Sequence, residues 1–138
     1  MKRDPRLRGL SSEHHHALVL ARRVERAAAA WSLEHGAELR SSFDRELAPH
    51  FAIEEELLLP ALRAAAQAEL CARVEQDHAL LRRAADQAVA GDAAAARSFS
   101  AALSEHVRFE ERELFPACEA HLSEDVLDEV SRRSPAPA

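Results

Sequence analysis

The chain has 138 residues, with 18 Lys or Arg against 24 Asp or Glu, and its formal net charge is −6. An acidic chain repels phosphate backbones, so we expect no nucleic-acid partner. With only 3 Gly and 6 Pro, little of the chain is available for turns, which favours one all-α domain over sheet folds. We find neither a signal-peptide pattern nor an apolar run long enough to span a bilayer. With two cysteines that lack metal or redox spacing, the sequence predicts a cytoplasmic protein with no membrane partner.

The sparse helix-breaking residues divide the chain into four predicted helices of about 20 residues each. Ser11 or Ser12 is a suitable N-cap for the first helix, and Asp92 for the fourth. In chain order we expect helices over about 13–31, 37–63 with a bend at Pro49, 68–90 ended by Gly91, and 92–121 continuing past Pro116, then a helical turn over 124–131. The predicted organisation is an N-terminal arm at 1–10, a helical bundle at 11–122, and a short helical turn with a disordered tail at 123–138.

An internal repeat relates the second predicted helix to the fourth. Shifting the sequence by 56 residues superimposes 50–61 on 106–117, with a His, two Glu, a Leu, a Pro and an Ala coinciding. Glu13-His14 corresponds in the same way to Asp77-His78. These matches predict an up-down-up-down antiparallel four-helix bundle built from a duplicated helical hairpin.

Helical geometry places the repeated polar residues in the apolar stripe. At 100° per residue, His50 and Glu54 lie about 40° apart, in the sector that also holds Phe43 and Leu47. The fourth helix repeats the arrangement with His106 and Glu110, which lie in the apolar sector of that helix. Glu55, Glu56 and Glu111 fall outside the two sectors and are expected to be solvated, whereas Glu113 is expected to face inward.

The other two helices each add a histidine to the predicted interior. His78 lies in the apolar sector of the third helix. On the first helix, three consecutive histidines compete: His14 is closest to the centre of the apolar stripe, His16 is next, and His15 points away. The match of Glu13-His14 with Asp77-His78 also selects His14.

Four histidines and two glutamates facing the core would be costly to bury without a partner, and a metal cation removes that cost. Two glutamates bridging two ions, together with four histidines, supply about eight of the roughly twelve positions of two octahedral ions. The remaining positions are open to water or an exogenous molecule. A mixed imidazole and carboxylate site of this kind favours two iron ions, with manganese and zinc as alternatives. A single ion or a larger cofactor, with His14-His15-His16 as a surface metal patch, is a further alternative.

In these features the chain resembles the hemerythrin-like family, also called the HHE cation-binding domain, over roughly residues 10–122. The resemblance rests on Glu13-His14-His15-His16-Ala-Leu, His50-x-x-x-Glu54-Glu55, Asp77-His78-Ala-Leu-Leu and His106-x-x-x-Glu110-Glu111-x-x-Leu-Phe-Pro. It implies an up-down four-helix bundle around a non-haem di-iron centre that binds or reacts with oxygen, peroxide or nitric oxide. Carried over by position, the metal ligands would be His14, His50, Glu54, His78, His106 and Glu110.

The sequence departs from the oxygen-carrying hemerythrins, which have two histidines four residues apart on the third helix and an Asp five residues after the last ligand His. Here Val74 precedes His78 by four residues, and Glu111 follows His106 by five. The resulting site exchanges one histidine for a carboxylate, which should favour the ferric state over reversible oxygen carriage. We therefore expect a di-iron oxidoreductase, a peroxide or nitric oxide scavenger, or a sensor. The alternative is a non-catalytic iron-binding module that signals to a separate protein partner.

Overall fold

The structure is a computed structural model that describes residues 2–138, and within that range all regular secondary structure is helical. We number five helices. Helix α1 is Arg8–Ala27 and α3 is Ala68–Val89. Helix α2 runs over 33–64 and α4 over 93–121, and α5 is Glu124–Arg133. Short 3-10 turns at Pro5–Leu7 and Ala28–Ala30 flank α1. No helix of residues 2–138 combines the length and apolarity needed to cross a membrane.

Side-chain caps fix where three helices begin. Ser32, Asp92 and Ser123 each accept a hydrogen bond from the backbone N–H three residues on, at the starts of α2, α4 and α5. The cap at Ser32 corrects the predicted boundary between the first two helices. The chain leaves the α1 path at Trp31 and α2 begins at Leu33, so Gly36 lies inside α2 and not before it.

Both ends of the chain pack more closely than the sequence predicts. The expected arm at 1–10, whose residue Met1 lies outside the described residues, is largely helical, since α1 begins at Arg8 and Leu7 and Leu10 are fully buried. Ser11 and Ser12 therefore lie within α1 instead of capping it. At the other end, Ser134 is buried, and its carbonyl oxygen lies where a Cβ on Gly9 would fall, so only glycine fits there. Residues 135–138 have no regular structure.

Helices α2 and α4 are interrupted by π-helical turns, in which one extra residue widens the helix. Helix α2 has two, Phe43–Leu47 and Glu54–Leu58, and α4 has one, Glu110–Leu114. Each π turn is followed two residues later by a proline: Pro49, Pro60 and Pro116. A proline inside a helix has no N–H to donate and clashes with the carbonyl of the preceding turn, and a wider turn relieves both problems.

The interior consists of two apolar clusters with a polar layer between them. One cluster surrounds Phe43, Phe51 and Phe99, and the other surrounds Phe109 and Phe115. Helices α1 and α3 both pack along α4, and α2 packs against α1 and α3, so that the four long helices enclose the interior. The polar layer lies where the second π turn of α2 and the π turn of α4 begin.

Candidate metal centre

The six residues singled out by the sequence lie together in the polar layer. Each of the four long helices contributes one histidine, and α2 and α4 add one glutamate each. All six are almost fully buried: His14 4%, His50 4%, Glu54 0%, His78 1%, His106 2% and Glu110 0% exposed. His15 and His16 are exposed, so of the three consecutive histidines only His14 enters the interior.

One group of potential ligands consists of His14, His50, Glu54 and Glu110, whose ligand atoms all lie within 4.8 Å of one another. His14 Nε2 is 2.7 Å from Glu110 Oε1, and His50 Nε2 is 3.0 Å from Glu54 Oε2 and 3.5 Å from Glu110 Oε1. The two imidazoles thus direct their Nε2 atoms toward oxygens of both carboxylates.

The second group is Glu54, His78, His106 and Glu110, within the same 4.8 Å. His78 Nε2 is 3.0 Å from Glu54 Oε1, and His106 Nε2 is 3.1 Å from Glu110 Oε2. Both glutamates are shared by the two groups, with histidines of α1 and α2 on one side and histidines of α3 and α4 on the other. Two carboxylates shared in this way have the arrangement required to bridge two cations.

Four buried atoms at the centre lack a hydrogen-bond partner within the described residues: His50 Nε2, Glu54 Oε2, His106 Nε2 and Glu110 Oε2. Each histidine nitrogen is about 3 Å from its glutamate oxygen, but the angles do not suit a hydrogen bond. Ligand atoms that subtend a right angle at an ion about 2.1 Å away lie about 3 Å apart. Buried polar atoms without partners are costly, and a cation among them would satisfy all four. The residues therefore fit a metal site.

A carboxylate faces the outer nitrogen of each of the four histidines. The Nδ1–carboxylate distances are 2.6–2.8 Å, for the pairs His14–Glu111, His50–Glu13, His78–Glu55 and His106–Asp77. A carboxylate can only accept, so each Nδ1 carries the proton and a neutral imidazole keeps its lone pair on Nε2. This is the tautomer that a metal ion needs, and the hydrogen bond from Nδ1 to the carboxylate also fixes the orientation of the ring.

These carboxylates correct the expectation that Glu55 and Glu111 are solvated. Both side chains are about one-third exposed, yet one oxygen of each accepts from a buried histidine. Glu113 is exposed instead of inward, and Leu114 takes the buried position. The π turn explains both changes, because its extra residue rotates the following side chains by one position relative to an ideal helix. The signal in the sequence is that each of these four carboxylates stands next to a ligand-type residue: Glu13-His14, Glu54-Glu55, Asp77-His78 and Glu110-Glu111.

Three of the four outer carboxylates also hold an arginine, and the fourth holds a serine. The pairs are Glu111–Arg3 at 3.2 Å, Asp77–Arg73 at 3.1 Å, Glu55–Arg82 at 2.8 Å and Glu13–Ser134 at 2.7 Å. Arginine or hydroxyl donors anchor each carboxylate for its histidine, and at Asp77 and Glu55 the arginine also bonds the oxygen that accepts from the histidine. The network runs from the interior through histidine and carboxylate to the surface.

In the absence of metal, buried histidines of the centre and the carboxylate of Glu110 stabilise each other's charged forms. Burial alone would lower the pKa of His106, but the charge of Glu110 and the bond to Asp77 raise it to about 10. Burial opposes ionisation of Glu110, yet His106 and the neighbouring histidines hold its pKa well below the usual value. Protons on His14, His50 and His106, whose pKa values are all raised, thus compensate the charge of Glu110 until a cation takes their place.

Aromatic rings cover two of the histidines. Phe51 stacks on His78 with ring centroids 3.9 Å apart, and Phe115 lies parallel to His14 at 5.2 Å. These rings exclude water from two sides of the centre and restrict rotation of the imidazoles.

The fold and the site agree with the comparison against protein families. The family model described as Hemerythrin HHE cation binding domain matches residues 5–118. No curated protein and no solved structure gives a significant match. The match covers most of the chain and includes all six residues of the buried centre. The chain therefore belongs to the hemerythrin HHE cation-binding domain family.

Proposed function

We propose that the chain is a non-haem di-iron protein that reacts with or senses oxygen, peroxide or nitric oxide. The observation that carries the proposal is the sharing of Glu54 and Glu110 by both histidine pairs. We further propose that the four long helices form an up-down-up-down bundle that arose by duplication of a hairpin. Its support is the pair of π turns at Glu54–Leu58 and Glu110–Leu114, which are 56 residues apart, as are the two sequence repeats.

In the proposal, Glu54 and Glu110 would be shared by the two ions, and two histidine Nε2 atoms would complete the chain's donors to each ion. Each ion then has four donors from the chain, so about two of six octahedral positions are free for an exogenous molecule. A donor set of imidazole and carboxylate suits iron, and two bridging carboxylates stabilise higher positive charge. When bound, two irons would supply electron transfer to or from a small ligand.

The chain's own residues prepare the site for that chemistry. The outer carboxylates hold the imidazole tautomers, Phe51 and Phe115 exclude water, and the helices keep the donors close together before any ion arrives. We infer that the site favours redox or scavenging chemistry over reversible carriage, since two shared glutamates make it more anionic than a site with one shared glutamate.

A second candidate is a sensing module in which iron occupancy is signalled to a separate partner. It is favoured by the contacts that join residues near both ends of the chain to the centre. Arg3 pairs with Glu111, which holds His14, and Ser134 donates to Glu13, which holds His50. Ordering of the centre by metal would therefore also order residues near both termini.

The test is to load the protein with ferrous iron without oxygen and then to mix it with oxygen, peroxide or nitric oxide while recording optical spectra. We expect new absorption with at least one of them, and the same response from Glu69→Gln, an exposed control. Glu54→Gln should lose the response. Repeated consumption of peroxide identifies a scavenger, and a large metal-dependent rise in Tm without turnover identifies a sensor. No spectral change with any of the three would refute the proposed reactivity.

A further inference from the structure

A cavity of about 230 Å³ lies against the buried centre on the side of α1 and α2. It reaches three of the four histidines: His14, His50 and His106. The cavity is many times the size of a diatomic molecule, since it holds about eight water volumes at roughly 30 Å³ each. Its size matches an organic molecule of about seven or eight carbon atoms, each about as large as a water molecule.

The inner wall of this cavity is apolar. It is formed by buried residues from α1, α2 and α4: Ala17, Leu47, Phe51, Ile53, Leu103 and Val107. Such a wall gains free energy by enclosing hydrocarbon and offers no hydrogen bonds to a polar ligand away from the centre itself. The body of the occupant is therefore apolar.

The mouth of the cavity is charged. Arg45, Glu46 and Arg133 are exposed there, and Glu13, whose two oxygens already pair with His50 and Ser134, also lines the cavity. Arg133 is already paired with Glu56 at 2.9 Å, whereas Arg45 has no carboxylate partner within residues 2–138, and its guanidinium donates a hydrogen bond only to Ser41 Oγ, at 3.1 Å. A guanidinium with free donors at the mouth suits a carboxylate head group.

We propose that the cavity binds a medium-chain aliphatic carboxylic acid, with the chain against the apolar wall and the carboxylate at Arg45. This inference names the substrate or ligand class of the same centre and so rests on the proposed function. The hydrocarbon end lies next to His50 and His106, close enough to the centre to take part in a reaction there. The carboxylate stays at the surface, where Arg45 distinguishes it from an amine.

The probe is octanoate, with octanol and octylamine as analogues that differ only in the head group, titrated by calorimetry into metal-free and iron-loaded protein. We expect affinity in the order octanoate, octanol, octylamine. Arg45→Gln should weaken octanoate binding about three- to fivefold and octanol binding less than twofold. Arg22→Gln, an exposed arginine outside the cavity, should change neither. Octylamine binding as tightly as octanoate would overturn the assignment of the head group.

Two measurements test the cavity itself. Ala17→Leu fills the wall and should weaken octanoate binding at least tenfold. Across the acids from butanoate to decanoate, affinity of the unaltered protein should rise about fourfold per methylene and stop rising near octanoate. The series keeps the inference testable if Ala17→Leu fails to fold. An affinity that does not depend on chain length, or no binding of any acid, would overturn the cavity assignment.

Counting iron in the same samples separates this inference from the proposed function. Two irons per chain without octanoate binding would refute the cavity assignment alone. Octanoate binding that depends on Ala17 in a protein that takes up no iron would refute the proposed di-iron function and leave the cavity assignment standing.

Discussion

Replacing Asp77 by Asn tests the role of the outer carboxylates, because it keeps the side-chain shape and removes one charge. Asp77 Oδ2 accepts from His106 Nδ1 at 2.8 Å and also holds Arg73 at 3.1 Å. The amide can still accept one hydrogen bond, but it no longer stabilises the positive charge that the imidazole shares with a bound metal. Loss of such a partner typically lowers metal affinity 10- to 100-fold, and the retained shape favours the lower end, about tenfold.

The measurement is competition for ferrous iron between the protein and a coloured chelator, without oxygen. Because His106 belongs to the group with His78, we expect one of two binding steps to weaken about tenfold and the other to change little. Asp44→Asn is the matched control: Asp44 also pairs with an arginine four residues earlier, Arg40 at 3.3 Å, but touches no histidine. An Asp77→Asn affinity within twofold of the parent, or an equal loss in Asp44→Asn, would refute this role.

Three further predictions concern the bridge, the pH dependence and the C-terminal contact. Glu54→Gln and Glu110→Gln should each weaken both binding steps, since each glutamate serves both groups; weakening of only one step, as measured by the same competition, would contradict bridging. The Tm of the metal-free protein should fall as pH rises from about 6.5 to 10. The His106 pKa of about 10 in the folded protein exceeds its unfolded value of 6.5, so protonation of His106 stabilises the fold fully only below about pH 6.5. The iron-loaded protein should keep its Tm over that range. An equal fall of Tm with pH in both forms would contradict the idea that metal replaces the protons on the histidines. Ser134→Ala removes the hydrogen bond to Glu13 and should lower the free energy of unfolding by about 1 kcal/mol in urea titrations, whereas no change would show that the contact does not stabilise the fold.

The sequence predicts the helical class and brings out the six central residues because both depend on local periodicity. His14 is distinguished from His15 and His16 by the apolar stripe of a single helix, and the structure buries His14 alone of the three. The internal repeat in addition predicts that Glu54 and Glu110 occupy equivalent positions on their helices. That these residues bind metal stays a prediction.

The rest depends on features that an ideal helical period does not contain. Ideal helical periodicity predicts the wrong sides for Glu111 and Glu113, because a π turn shifts the register after Glu110, and only the proline at 116 signals it. The start of α1 at Arg8 depends on tertiary packing of Leu7 and Leu10, and the Nδ1 bonds join residues on different helices. Periodicity within one helix cannot reveal such contacts.

The number of iron ions bound per chain, together with the distance between them, tests the central claim most directly. We predict that protein loaded with ferrous iron in the absence of oxygen and freed of excess metal contains two irons per chain. X-ray absorption should then show a metal–metal vector of about 3.5–4 Å, as in other sites where two ions share ligands. One iron per chain, or two irons without such a vector, would contradict a centre bridged by Glu54 and Glu110.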